Sequence, residues 1–117
     1  MKSDLIERTY EFGLRIVLLL KENPPPPWAW DIAKQLRRCA TSVGANYRAS
    51  KRGRSTKEFI AKLGTCEEEA DESIYWLKLC RDSAYLSDEQ VEPLTKEANE
   101  LVAIFVSSIR TARANNR

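Results

Sequence analysis

Phe59, Leu63, Cys66, Ala70, Ser73, Leu77, Cys80 and Ala84 recur at alternating steps of four and three residues without a break. A seam of that kind keeps one narrow face of an α-helix turned toward its neighbours for roughly seven turns. Strands are excluded, because a strand repeats every second residue. A sustained 4-3 repeat selects near-antiparallel packing in which side chains of one helix interlock with those of the next. The start of this helix is also marked. Ser55 stands three residues before Glu58, a capping box in which the hydroxyl and the carboxylate each take a backbone N–H that the first turn leaves unpaired. The helix is expected over about 56–85.

Three further helices can be read around it. The first is expected over about 4–22, with Asp4-x-x-Glu7 at its start and Leu5, Thr9, Phe12, Ile16 and Leu19 on one face. Its end, Ile16 to Leu20, is apolar on every side, so part of that turn is expected to pack against another subunit. Asn23-Pro24-Pro25-Pro26-Pro27 then stops the helix and forms a stiff, polyproline-like connector. Trp28 and Trp30 follow and are expected to cover the end of the bundle. The second helix spans about 30–52, with Gly53 as its C-terminal cap. Ser87-x-x-Gln90 opens the fourth, about 88–114, whose seam is Val91, Leu94, Ala98, Leu101, Phe105 and Ala112; Ala114 to Arg117 should fray. The fold class is all-α, an antiparallel up-down-up-down four-helix bundle occupying residues 1–117 as one domain.

Several functions are excluded by residues the chain lacks. It has no histidine, which rules out Ser–His and Cys–His nucleophile pairs and small helical RNases built on an Arg-x-x-x-x-His motif. Its four glycines form no phosphate-binding loop. Cys39, Cys66 and Cys80 are odd in number and unpaired in spacing; they read as buried thiols in a reducing compartment, not as a zinc site. The acidic group Glu67, Glu68, Glu69, Asp71 and Glu72 has no Glu-x-x-His partners for a di-iron centre and reads as a solvated or pairing face. No enzyme activity, cofactor or metal is expected. The longest apolar run, Ile16 to Leu20, is far below the roughly 18 residues of a membrane span. Asp4, Glu7 and Arg8 interrupt any signal-peptide pattern. A cytoplasmic protein without membrane contact is expected.

The net charge of +2 conceals a segregation. Residues 34–62 hold nine Lys and Arg against Glu58 alone, while residues 63–100 hold three against eleven Asp and Glu. Such asymmetry speaks to partners and assembly. Helical counting places Lys34, Arg37, Thr41, Arg48 and Arg52 on an outward stripe. Lys34, Arg37, Arg48, Lys51, Arg52, Arg54 and Lys57, beside Tyr47, are the candidate nucleic-acid-binding residues, since guanidinium forks suit phosphate. Arg38, Ser42 and Asn46 form a second row closer to the seam. Counting back from a hairpin near Arg54 sets Arg38 opposite Ala70, within reach of Glu69 or Glu72. It sets Asn46 opposite Lys62, where a polar contact would fix helix register.

Gln35-Leu36-Arg37-Arg38-Cys39-Ala40-Thr41-Ser42-Val43-Gly44-Ala45-Asn46, then Arg54-Ser55-Thr56-Lys57-Glu58-Phe59, then Glu69-Ala70-Asp71-Glu72-Ser73-Ile74-Tyr75-Trp76-Leu77 resemble a bacterial four-helix-bundle family. Its members were first noticed as reading frames within intervening sequences of 23S ribosomal RNA genes and are often labelled S23 ribosomal proteins. The resemblance covers nearly the whole chain, and Arg38, Ser42, Asn46, Phe59, Glu72 and Leu77 match the family pattern. It implies a small cytosolic protein assembling as a ring-shaped homopentamer. A related branch serves diversity-generating retroelements as an accessory protein that binds nucleic acid and a reverse transcriptase. One departure bears on function. Many members continue Asn-Ile-Ala-Glu-Gly where this chain reads Asn46-Tyr47-Arg48-Ala49-Ser50, losing an acid and gaining a cation. The expected function is a non-catalytic oligomeric scaffold that binds RNA or DNA through its basic stripe. The alternative is a module that docks a partner enzyme, such as a reverse transcriptase, without touching nucleic acid.

Overall fold

A computed structural model describes residues 4–115. Four helices run in order: α1 Leu5–Glu22, α2 Trp30–Ser50, α3 Thr56–Asp82 and α4 Asp88–Asn115, with a single 3-10 turn at Pro27–Ala29 before α2. Each packs antiparallel against the next, and α1 closes weakly onto α4. The result is an all-α up-down-up-down bundle of 50 × 23 × 21 Å, whose long dimension suits the 28 residues of α4 at about 1.5 Å each. Among the described residues no helix is long and apolar enough to cross a membrane.

The helix starts follow their capping residues. Ser55 Oγ accepts the Glu58 N–H at 3.1 Å, while the Glu58 carboxylate takes the N–H of Arg54 at 2.8 Å, one residue before the cap. Ser87 and Gln90 form the full reciprocal pair, at 3.1 and 2.9 Å. Asp4 caps α1 through the N–H of Ile6, 3.1 Å away.

The core is the union of the four seams. Leu63, Cys66, Ala70, Ser73, Leu77 and Cys80 are all fully buried, as are Phe12, Ile16, Leu36, Val43, Leu101 and Phe105. Two register marks cross from α2 to α3: Ser73 Oγ lies 3.3 Å from Cys39 Sγ, and Cys66 Sγ lies 3.6 Å from the Val43 carbonyl. Between α1 and α2 the backbones come close. A Cβ on Gly44 would stand 3.1 Å from Thr9 O, and one on Gly13 would stand 3.3 Å from Thr41 Cα. Glycine inside these helices therefore serves proximity.

Four expectations are corrected. Helix α3 ends at Asp82, and Ala84, assigned to the seam, is exposed in a left-handed conformation with φ 66°. Helix α2 stops at Ser50, and Gly53 does not take the left-handed cap; its φ is negative. Ile109 joins the buried seam of α4, whereas Ala112 is only half-buried. Trp28 and Trp30 do not cover the bundle end but are 59% and 61% exposed. Of the apolar turn expected to meet another subunit, Ile16 and Leu20 are buried within the bundle and Leu18 is 42% exposed. Met1 to Ser3, Asn116 and Arg117 lie outside the described residues; of the C-terminal segment expected to fray, Ala114 and Asn115 are helical.

Candidate nucleic-acid interface

Burial of Ala33, Leu36, Ala40, Val43 and Tyr47 orients α2. With that face in the core, Trp30, Lys34, Arg37, Thr41 and Arg48 fall within an arc of about 60° centred about 110° around from it, on the flank beside α1. All five are exposed. Lys51, Arg52 and Arg54 continue the stripe through the turn, and Lys57 extends it onto the first turn of α3; all are exposed.

Four cations among the described residues are answered by a carboxylate. Arg8 bonds Glu97 at 2.7 Å and Glu100 at 2.6 Å. Arg38 meets Glu72 at 2.9 Å, Lys78 meets Asp82 at 2.7 Å, and Arg81 meets Asp82 at 3.0 Å. By contrast, Lys34, Arg37, Arg48, Lys51, Arg52, Arg54 and Lys57 have no ion-pair partner among the described residues. A one-signed stripe left open in this way raises the local potential toward anions.

The α2–α3 turn adds shape to charge. Lys51, Gly53, Arg54, Ser55, Thr56 and Phe59 line a cleft of about 420 Å³ at the N-terminus of α3. The helix dipole presents partial positive charge there, although the Glu58 carboxylate, held by Arg54 N–H, occupies part of the rim. Lys51 Nζ stands 5.8 Å from the centroid of the Tyr47 ring, a cation–π distance that anchors the lysine. Tyr47 itself is not an accessible neighbour of the stripe. It is 8% exposed and packs against Phe105 with ring centroids 6.1 Å apart.

The second row behaves differently. Arg38 spans both acids facing it, with Glu72 at 2.9 Å and Glu69 at 3.6 Å. The bond to Glu72 raises the guanidinium above its ordinary range. Glu72 also accepts the Trp76 indole N–H at 3.0 Å. Asn46 does not reach across to α3. Its amide donates at 2.9 Å to both the carbonyl and the hydroxyl of Ser42, one turn back, so the contact is local and sets no register.

The acidic group is spread over several faces of α3. Glu69 and Glu72 face Arg38, whereas Glu67 and Glu68 line a cleft of about 630 Å³ between α3 and α4, opposite Arg110 and Arg113. Asp71 is exposed. Burial pushes the three thiols up, Cys66 to about 12 and Cys80 to about 11. Cys39 is also raised, by burial against the lowering effect of its bond from Ser73.

Two features escaped sequence reading. One is the Arg8 clamp on Glu97 and Glu100, which joins residues 89 and more positions apart. The other is a groove of about 400 Å³ between α1 and α2 that reaches Thr41, Gly44 and Arg48, beside the exposed Tyr10, Leu14 and Leu18 of α1. Gly13 and Gly44 carried the signal for that close pairing.

The family model described as 23S rRNA-intervening sequence protein matches residues 1–107. The chain belongs to the 23S rRNA-intervening sequence protein family. A crystal structure within the S23 ribosomal protein family, of a protein with unknown function from Bacteroides thetaiotaomicron, superposes with a TM-score of 0.84. It is 33% identical over 91% of this chain and 98% of its own. Among curated proteins there is no significant match. The architecture of this intervening-sequence protein is thus that of its family.

Proposed function

We propose that this protein is a non-catalytic, cytoplasmic scaffold that binds RNA or DNA through the basic stripe of α2 and the α2–α3 turn. The observation that carries the reading is the clustering of open cations: seven exposed Lys and Arg follow one another along α2 and the α2–α3 turn with no carboxylate partner among the described residues, whereas the other open cations, such as Arg15, Lys21 and Lys96, lie on other helices. Guanidinium groups at such a surface take phosphate bidentately and release condensed counterions as they do so. No base-reading motif accompanies them, which favours contact with the backbone over sequence readout.

Self-association fits the same scaffold. Tyr10, Leu14 and Leu18 present an apolar ridge that water solvates poorly. A homopentamer, as the family resemblance implies, would repeat the stripe five times and convert weak contacts into avidity. The ridge also favours a second reading, in which it receives a partner enzyme such as a reverse transcriptase and the stripe plays no part.

Fluorescence anisotropy with a structured RNA hairpin, at low and physiological salt, separates the two. The proposal expects binding that weakens with salt and is lost in an Arg48/Arg52/Arg54→Glu variant. Absence of binding at low salt, or binding indifferent to those changes, would refute it and turn attention to the ridge.

A further inference from the structure

We infer that Trp28 and Trp30 form a stacking platform for unpaired bases at the end of the basic stripe, so that the preferred ligand is single-stranded nucleic acid. The inference rests on the nucleic-acid reading above and adds the class of ligand. Tryptophan is seldom left this open. A ring offers 150–250 Å² of largely apolar surface whose burial drives folding elsewhere, yet these two remain 59% and 61% exposed.

The segment that carries the rings is held in place. The connector is pinned to the bundle where Tyr85 Oη–H donates to the Asn23 carbonyl and the Gln90 amide donates to Asn23 Oδ1 at 3.2 Å. Ala29 N–H closes the 3-10 turn onto Pro26 O at 2.8 Å. The Trp30 indole N–H donates to the Pro25 carbonyl at 3.2 Å, which satisfies the only polar group of that side chain. Prolines at 24–27 remove much of the backbone freedom that binding would otherwise have to freeze. An aromatic surface fixed and left open in this way suits a flat apolar ligand.

Charge decides which ligand. Trp30 stands at the same angle around α2 as Arg48, and Lys34 and Arg37 follow it by four and seven residues, about 6 and 10 Å along the axis. Trp30 therefore lies along one face of α2 with Lys34, Arg37 and Arg48, and Trp28 stands two residues before it in the 3-10 turn. The one acid within α2, Asp31, is about 100° around the helix from Trp30. An aromatic face beside a track of cations is the arrangement that binds single strands, with bases on the rings and phosphates along the track. A duplex keeps its base faces inside its own stack and offers the rings nothing.

The test is anisotropy of a labelled oligo-uridine of about 12 nucleotides, a length within the span such surfaces cover. The intact protein is compared with W28A and W30A, and the oligo-uridine with a duplex of equal length, at one salt concentration. Each substitution should weaken single-strand binding by about 5- to 150-fold, the loss expected when a base–aromatic stack is removed. Duplex affinity should not move. Because both rings are exposed, thermal unfolding should also stay unchanged, which excludes a folding artefact. Unaltered oligo-uridine affinity in both variants, a preference for duplex, or no binding to oligo-uridine at all would each overturn the platform. If hairpin binding is still lost in the Arg48/Arg52/Arg54→Glu variant, the basic-stripe reading survives, and the two tryptophans are then a surface for protein.

Discussion

Replacing Arg38 with Met should destabilise the bundle by an amount set less by the pair it breaks than by the acid it leaves behind. Arg38 and Glu72 are about 49% and 39% exposed, a setting in which an ion pair contributes about 0.2–1 kcal/mol. Glu69 differs. Its side chain is 18% exposed, and its buried Oε1 has no hydrogen bond, only Arg38 Nη1 at 3.6 Å. Removing the cation leaves that oxygen poorly hydrated and unanswered, which costs about 1 kcal/mol more. We expect a total of about 1–2 kcal/mol, or about 4–8 °C in Tm for a domain of this size. Urea unfolding of Arg38→Met, Glu69→Gln and the double variant measures it. Glu69→Gln alone should change little, and in the Arg38→Met background it should restore about half the loss. The Glu72–Trp76 bond survives all three changes. An unchanged midpoint in Arg38→Met, or no rescue by Glu69→Gln, would refute the reasoning.

Other consequences follow from the same geometry. Ala84 holds φ 66°, where an L side chain is strained and glycine is not, so Ala84→Gly should raise stability by about 0.5–1 kcal/mol in the same unfolding assay. Burial raises Cys66 from 9.0 to about 12 and Cys80 to about 11. Thiols in the unfolded chain ionise first, so stability should be constant below pH 9 and fall as pH rises toward 12, by up to about 1.4 kcal/mol per pH unit for each thiol. Urea midpoints across that range, compared with a Cys66→Ala variant, check the sign. If the α1 ridge carries self-association, Leu14→Lys with Leu18→Lys should shift the protein to monomer in sedimentation velocity while leaving its helicity intact.

Most of the fold was legible because α1, α3 and α4 carry their own capping residues and every helix carries a seam. Ser55 with Glu58 and Ser87 with Gln90 mark boundaries by local chemistry, and the 4-3 steps of α3 name its buried residues directly. Helix ends were less legible. Nothing in the identity of Ala84 announces a left-handed residue, and the seam spacing ran straight through it. Arg38 could be placed because antiparallel counting from the turn is accurate over a few helical turns. The Arg8 clamp could not, since it joins the first helix to the last and depends on how the bundle closes. Trp28 and Trp30 were misjudged because hydrophobicity predicts burial only where the chain has somewhere to bury the ring. Here the proline connector, tied to the bundle at Asn23, holds them outward.

The salt dependence of RNA binding tests the central claim most directly. Each phosphate neutralised contributes about −0.7 to −0.9 to the slope of log affinity against log salt, so engagement of all seven open cations sets a limit near −5 to −6. Replacing Arg48, Arg52 and Arg54 with Ala should flatten the slope by about 2–3 while leaving the unfolding midpoint unchanged. A slope near zero in the intact protein, or the same slope in the variant, would contradict the account.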